Sequence, residues 1–347
     1  MKKRAKDINT PKSIATPAPV NTTALLDVHN LSVEFKLRAG NFFANRNISL
    51  SIERGKTLGI VGESGSGKSV FCRTILRLLP SPPAYIPQGK ILFNGKDLLT
   101  YSEKEMRYVR GAEITMIFQD PMSSLNPVFN IDDQISESLR LHTAISAKEA
   151  REASINLLRL VGIPSPEKRV DSYPHQLSGG MRQRVMIAMA IASKPKLLLA
   201  DEPTTALDVT IQDQILALML QLQEQVGMSI ILVSHDLGIV AETSDRVAVM
   251  YAGQVLELSP TEAIFRRPKH PYTVGLLNSI PRMSGRTDRL LPIKGQPPNL
   301  LRLPVGCPFV ERCPVADVDI CTKTPVSLKQ IEPDHATACL FPERVHG

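Results

Sequence analysis

No stretch of this 347-residue sequence approaches the 18 or more consecutive apolar residues that a membrane-spanning helix needs, and its N-terminus lacks the apolar core of a secretion signal. The expectation is a cytoplasmic chain that, if it works at a membrane, docks on partners that span it. Excess charge is scarce as well. The formal charge is +7, but Lys2, Lys3, Arg4, Lys6 and Lys12 stand against Asp7 in residues 1–24, a net of +4 that leaves only +3 for the rest. That balance argues against a large nucleic-acid face, which usually leaves a basic stripe on the domain itself, so no nucleic-acid partner is expected. Cysteine is sparse, five in all, and four of the five fall within the last 41 residues. In a cytoplasmic chain these read as reduced thiols or a metal centre before disulfides. What is present, 43% hydrophobic and 22% charged residues, suffices for one large core and an appendage.

Residues 1–24 read as a solvated, disordered basic leader, with contact to anionic lipid as the alternative. The main unit spans 25–260. Leu25 to Phe35 and Asn47 to Ile52 read as strands of an antiparallel layer. Thr57–Val61 is a short apolar strand, Gly62–Gly67 a glycine-rich turn, and Lys68 opens a helix expected to run through Leu79 before Pro80, Pro82 and Pro83. From about Ser124 to Lys194 the pattern is helical, an inserted subdomain. Strand and helix then alternate: Lys196–Ala200, Val209–Val226, Ser229–Val233, a short helix, Arg246–Met250 and Gln254–Leu258. That alternation predicts an α/β fold with a mainly parallel sheet covered by helices. Beyond Pro260 the composition turns proline-rich, with a helix near Tyr272–Ser279 and little regular pattern after it; residues 261–347 are expected as a separate, irregular module.

Gly62-Glu63-Ser64-Gly65-Ser66-Gly67-Lys68-Ser69 matches a phosphate-binding loop, whose backbone N–H groups surround nucleotide phosphates at a helix N-terminus. Lys68 would neutralise the β- and γ-phosphates and Ser69 would coordinate magnesium. The apolar run Leu197–Ala200 ends in Asp201 and Glu202, two carboxylates at the ligand-binding edge of a parallel sheet. Asp201 would hold the magnesium ion, directly or through water; Glu202 would orient and polarise the attacking water.

Leu177-Ser178-Gly179-Gly180-Met-Arg-Gln-Arg184 resembles the ABC signature, and three further elements follow that family's order: Gln119 of a Q-loop, Ala206-Leu-Asp208 of a D-loop, and His235 of the switch segment Val233–Leu237. The sequence is thus similar to ABC ATPases, with the P-loop NTPase fold that this implies: a mainly parallel core, an antiparallel β layer and an inserted helical subdomain. The resemblance implies that Gln119 joins Ser69 and Asp201 at magnesium, and that His235 contacts the γ-phosphate. It implies that Ser178, Gly179, Gly180 and Asp208 act in trans on the nucleotide of a second ATPase subunit. Phe35 matches the aromatic that stacks on adenine, with ordinary core packing as the alternative.

The Q-loop continuation Asp120–Pro127, Ser172–Leu177 before the signature, His270–Leu277 and Ser279–Pro281 look like the dipeptide and oligopeptide importer subfamily. The likeness covers about residues 25–343. It implies an ATP hydrolase coupled to transport, a peptide translocase on the cytoplasmic face of the bacterial inner membrane. Its partners would be a paralogous ATPase in a heterodimer, two transmembrane permease subunits and an external peptide-binding protein. Glutathione or nickel complexes are alternative cargoes, and a soluble ABC ATPase acting on nucleic acid or ribosomes is the rival class. Cys307, Cys313, Cys321 and Cys339, separated by five, seven and seventeen residues, could ligate a metal cluster. The resemblance implies a 4Fe–4S cluster; zinc, without its usual close pairs, and free thiols are the other readings. Cys72, inside the helix after the phosphate loop, reads as a small buried hydrophobe.

Overall fold

The computed structural model describes residues 24–119, 124–205, 207–279 and 293–345. Residues 1–23 of the expected 1–24 leader therefore lie outside the described residues, Ala24 already belonging to a strand, as do residues 120–123 of the Q-loop continuation, Ala206 and the segment 280–292.

Two sheets carry the fold. The smaller consists of β1 (Ala24–Leu37), β2 (Gly40–Glu53), β4 (Ala84–Phe93) and β5 (Lys96–Asp97), in the antiparallel order β2-β1-β4-β5. The larger has eight strands. At its centre β9 (Arg246–Tyr251), β3 (Thr57–Val61), β8 (Ser229–Val233), β7 (Leu197–Asp201) and β6 (Ile114–Ile117) run parallel in that spatial order. Beyond β9 the edge turns antiparallel through β10 (Gln254–Pro260), β12 (His335–Thr337) and β11 (Lys329–Glu332).

Parallel strands covered on both faces can be apolar at every position. All five residues of β3, β7 and β8 are buried. The two-residue period of a strand divides them between two cores. Leu198, Ala200, Ile230 and Leu232 face the inserted helices; Leu197, Leu199, Ile231 and Val233 face the antiparallel layer and Phe71 of the first helix.

The helices are α1 (Lys68–Ile75), α2 (Glu103–Tyr108), α3 (Ile131–His142), α4 (Ala147–Leu160), α5 (Pro166–Arg169), α6 (Gly179–Ile191), α7 (Val209–Val226), α8 (Leu237–Thr243), α9 (Thr261–Arg266), α10 (Pro271–Asn278) and α11 (Val318–Lys323). Helices α3 to α6 form the insertion. Its starts are fixed by side-chain caps that satisfy otherwise orphaned N–H groups: Asn130 for α3, Ser146 with Glu149 for α4, and Ser178 for α6. Helix α1 stops short of the expected Leu79. Arg77 adopts φ 51° and closes the helix end, with Arg77 N donating to Thr74 O and Leu78 N to Arg73 O, both at 2.9 Å, while the Arg110 Nε donates to the Leu76 carbonyl at 2.8 Å.

The segment beyond Pro260 is more regular than its composition implies, and it is joined to the main unit. It contributes α9, α10 and α11, and its strands β12 and β11 extend the large sheet. A third core unites Val249, Tyr251 and Leu256 of the sheet with Tyr272, Cys307, Phe309 and Cys321. The proline-rich linkers hid this, because the pairing partners of β12 lie some eighty residues earlier, Glu257 opposite Thr337.

Candidate nucleotide site

Strand β3 ends at Val61, and the chain turns through Gly62–Gly67 into α1. Gly62 has φ 152°, and a β-carbon there would overlap the Met250 carbonyl. Only glycine tolerates that approach. Gly67, the N-cap of α1, has φ 99° and accepts a hydrogen bond at its carbonyl from Asn45 Nδ2 at 3.0 Å. Gly253 N donates to Ser66 O at 2.9 Å, so the loop is braced by the β9–β10 turn and by β2. Asn45 carries no signal in the sequence, since its partner is a backbone carbonyl.

Lys68 is buried and curls over the loop, Nζ donating to Gly62 O at 2.7 Å and Glu63 O at 3.1 Å. Burial lowers its pKa, against the opposing pull of Glu202, Asp201 and Glu63. A buried ammonium whose partners are two loop carbonyls and the Ser66 hydroxyl, at 3.4 Å, is available to an incoming polyanion. One residue on, Ser69 Oγ donates to Asp201 Oδ1 at 2.8 Å. Asp201 is 1% exposed; burial raises its pKa, partly offset by the Ser69 hydrogen bond, and its Oδ2 is buried without a hydrogen-bond partner. An orphaned carboxylate oxygen beside a serine hydroxyl is the hard-oxygen environment that suits a magnesium ion.

Glu202 follows Asp201 at the end of β7 in the left-handed region, φ 49°, a conformation that costs a non-glycine residue about 1–3 kcal/mol. Its backbone N donates to Val233 O at 3.0 Å, which holds the turn in place. Three groups converge on Glu202 Oε2: Gln119 Nε2 at 2.9 Å, Thr205 Oγ1 at 3.0 Å and His235 Nδ1 at 3.4 Å. Gln119, Glu202 and His235, separated by up to 116 positions, thus meet at the ends of β6, β7 and β8. Thr205 carried no sequence motif; its place three residues after Glu202 in the same turn is the signal that would have found it.

Ser178, Gly179, Gly180 and Asp208 form a second group. Ser178 caps α6, accepting from Met181 N at 3.3 Å, and Asp208 caps α7, accepting from Ile211 N at 3.0 Å. The two helix starts meet where Ile211 packs on Gly180, leaving no room for a β-carbon. Gln183 of α6 is buried and bonded to the Pro203 carbonyl, which ties this group to the turn after Glu202. Phe35 lies half-buried near the end of β1, stacked on Phe42 with ring centroids 5.6 Å apart.

The four C-terminal cysteines line one small cavity of about 20 Å³. Burial pushes the thiol of Cys307 up to about 12 and that of Cys339 up to about 11, and raises that of Cys313. The donor set is one that soft metals prefer. Among the described residues, however, no group of three or more cysteine, histidine or acidic side chains is spaced to hold a metal ion. Cys72 is fully buried in the core, as expected of a small hydrophobe.

Residues 45–205 match the family model for the ABC transporter, and residues 256–321 match that for the oligopeptide/dipeptide transporter C-terminal region. The oligopeptide transport ATP-binding protein OppD of Bacillus subtilis is 55% identical over 294 residues, covering 84% of this chain and 82% of that protein. The dipeptide transport ATP-binding protein DppD of the same organism is 52% identical, covering 84% of this chain and 87% of its own length. OppD of Salmonella typhimurium is 47% identical over 328 residues, with 94% and 97% covered. Among solved structures, the dimeric ABC transporter cassette MJ0796 superposes with a TM-score of 0.61 at 27% identity, over 68% of this chain and 98% of that one.

Proposed function

Because this chain belongs to the ABC transporter family, among the ATP-binding proteins that carry the oligopeptide/dipeptide C-terminal region, we propose that it is the ATPase subunit of a bacterial peptide importer. The observation that carries the reading is the convergence of Gln119, Thr205 and His235 on one oxygen of Glu202, next to a phosphate loop whose lysine is bonded only to its own loop.

In this reading the backbone N–H groups from Gly62 to Ser69 cradle the ATP phosphates, and Lys68 leaves its carbonyl partners for the β- and γ-oxygens. Ser69, Asp201 and the Gln119 amide oxygen hold Mg²⁺, which when bound neutralises phosphate charge. Glu202 orients the attacking water and accepts its proton; His235 holds the γ-phosphate. Phe35 meets the adenine. Ser178, Gly179, Gly180 and Asp208 act on nucleotide bound by a second, paralogous ATPase subunit, so that two subunits sandwich ATP between them.

The permease subunits would dock beside the insertion. A cavity of about 280 Å³ between β6 and the inserted helices, lined in part by Leu78, Ile117, exposed Phe118, Met186 and Met189, supports that placement. No helix among the described residues is long and apolar enough to cross a membrane, so attachment to the inner membrane rests on those partners. An external peptide-binding protein completes the assembly. We also assign the four-cysteine cavity to a 4Fe–4S cluster, with zinc as the alternative; the four thiols support it chemically, whereas their spacing must contract to close around a metal. Iron, sulfide and zinc analysis of anaerobically purified protein tests this, and metal-free protein overturns it. Fractionation tests the import reading: recovery with inner membrane only on co-expression of the permease subunits is expected, and co-purification with ribosomes or DNA overturns it.

A further inference from the structure

Glu63, the second residue of the phosphate loop, is held from the C-terminal extension. Its backbone N donates to Tyr272 Oη at 2.8 Å. Its carboxylate is gripped at both oxygens by Arg312, Nη1 to Oε2 at 2.6 Å and Nη2 to Oε1 at 2.9 Å. The residues are 249 positions apart, and Arg312 belongs to no motif read from the sequence. Arg312 uses all five of its N–H donors. Besides the two on Glu63, Nη1 donates to Tyr251 Oη at 3.1 Å, Nε to Lys294 O at 2.9 Å and Nη2 to Ile293 O at 3.4 Å. Its guanidinium lies over the rings of Tyr251 and Phe309, and its side chain is 6% exposed against 25% for Glu63. A two-point, largely dry arginine–carboxylate contact of this kind fixes orientation as well as charge.

The position of the pair gives it a consequence for nucleotide binding. The Glu63 carbonyl accepts from Lys68 Nζ, so Glu63 is bonded through its backbone to the phosphate-binding lysine. Its carboxylate brings a negative charge to a loop that must receive a polyanion, and Arg312 neutralises that charge. Arg312 itself ends a short turn, Val310–Arg312, bracketed by Cys307 and Cys313, with Val310 N donating to Cys307 O at 3.2 Å and Cys313 N to Val310 O at 3.3 Å. We propose that Arg312 is a positioning residue of the ATP site: it holds Glu63 and hence the phosphate loop, making the cysteine-bearing turn part of the nucleotide-binding unit. This inference rests on the reading of the loop as an ATP site.

The test is a double-variant cycle in the full-length chain, reading equilibrium binding of a fluorescent ATP analogue alongside the nucleotide-free melting temperature. Arg312→Gln exposes an uncompensated carboxylate near the phosphates and is expected to weaken binding about tenfold. In steady-state hydrolysis the loss should fall on KM more than on kcat. Glu63→Gln sets the reference level, and the Arg312→Gln/Glu63→Gln double variant should return to within about twofold of it, because the charge that Arg312 neutralises is gone. A purely structural arginine would leave the double variant as weak as Arg312→Gln alone. That result, or wild-type binding by Arg312→Gln, overturns the clamp while leaving the ATP site standing; a wild-type chain that binds no ATP overturns both.

Discussion

Replacing Glu257 by alanine removes the acceptor for four donors at once. This residue of β10 is fully buried, and its Oε1 accepts from Lys269 N at 2.6 Å and faces His335 Nε2 at 2.7 Å. Its Oε2 accepts from His270 N at 3.0 Å and from the Thr273 hydroxyl. The donors come from the start of α10 and from β12, so one carboxylate joins the extension to the main sheet, at a helix N-terminus where negative charge is favoured. Glu257→Ala strands two backbone N–H groups, a hydroxyl and an imidazole in the interior. Breaking a buried, hydrogen-bonded charge contact costs about 3–5 kcal/mol, which corresponds to a fall of roughly 10 °C in melting temperature for a large domain. Glu257→Gln should cost less, about 1–3 kcal/mol, because its amide oxygen still accepts from one pair of donors while its NH2 turns a donor towards the other pair. The damage should also reach the nucleotide site: Tyr272, in the first turn of α10, packs on Tyr251 with centroids 4.6 Å apart and holds Glu63 N. Differential scanning fluorimetry of the full-length chain measures the first effect and ATP binding the second. A Glu257→Ala melting temperature within 2 °C of wild type would refute the reasoning.

Two further outcomes follow from the same geometry. Asp201→Asn keeps an oxygen for the Ser69 hydroxyl, so the nucleotide-free fold should hold to within about 1 kcal/mol while the magnesium dependence of ATP binding disappears; magnesium titrations of binding check this. Burial pushes the Cys72 thiol well above its ordinary value, so its thiolate fraction near pH 8 is lower than that of a free cysteine. Cys72 should therefore escape a thiol reagent in the folded chain and react once the chain is denatured, as peptide mapping of the labelled protein would read out.

Local pattern carried much of the fold. Thr57–Val61, Val209–Val226 and Ser229–Val233 were legible to the residue, because the two strands, buried on both faces, have no polar side chain after their first residue and α7 is bounded by its Asp208 cap and Gly227. The phosphate loop was legible from its glycines, and the carboxylate pair from the apolar strand before it. Long-range pairing was not. Strand β11, Lys329–Glu332, is largely exposed, and β12 has three residues; neither shows a pattern, and they form because β10 offers an edge to β12 and β12 offers one to β11. Likewise Asn45, Tyr272 and Arg312 act on the phosphate loop through contacts closed by the fold. The early end of α1 is closed by backbone bonds around left-handed Arg77, and Arg110, 34 positions beyond the Leu76 carbonyl, adds a bond to it.

The account turns on Glu202 as the group that activates water for ATP hydrolysis. Glu202→Gln keeps the shape of the side chain and an oxygen for Gln119 or Thr205 but removes the base. In the assembled complex it should bind ATP and turn it over about a hundredfold more slowly or worse. ATP binding at wild-type strength with turnover lost is the predicted result, and undiminished turnover would contradict it.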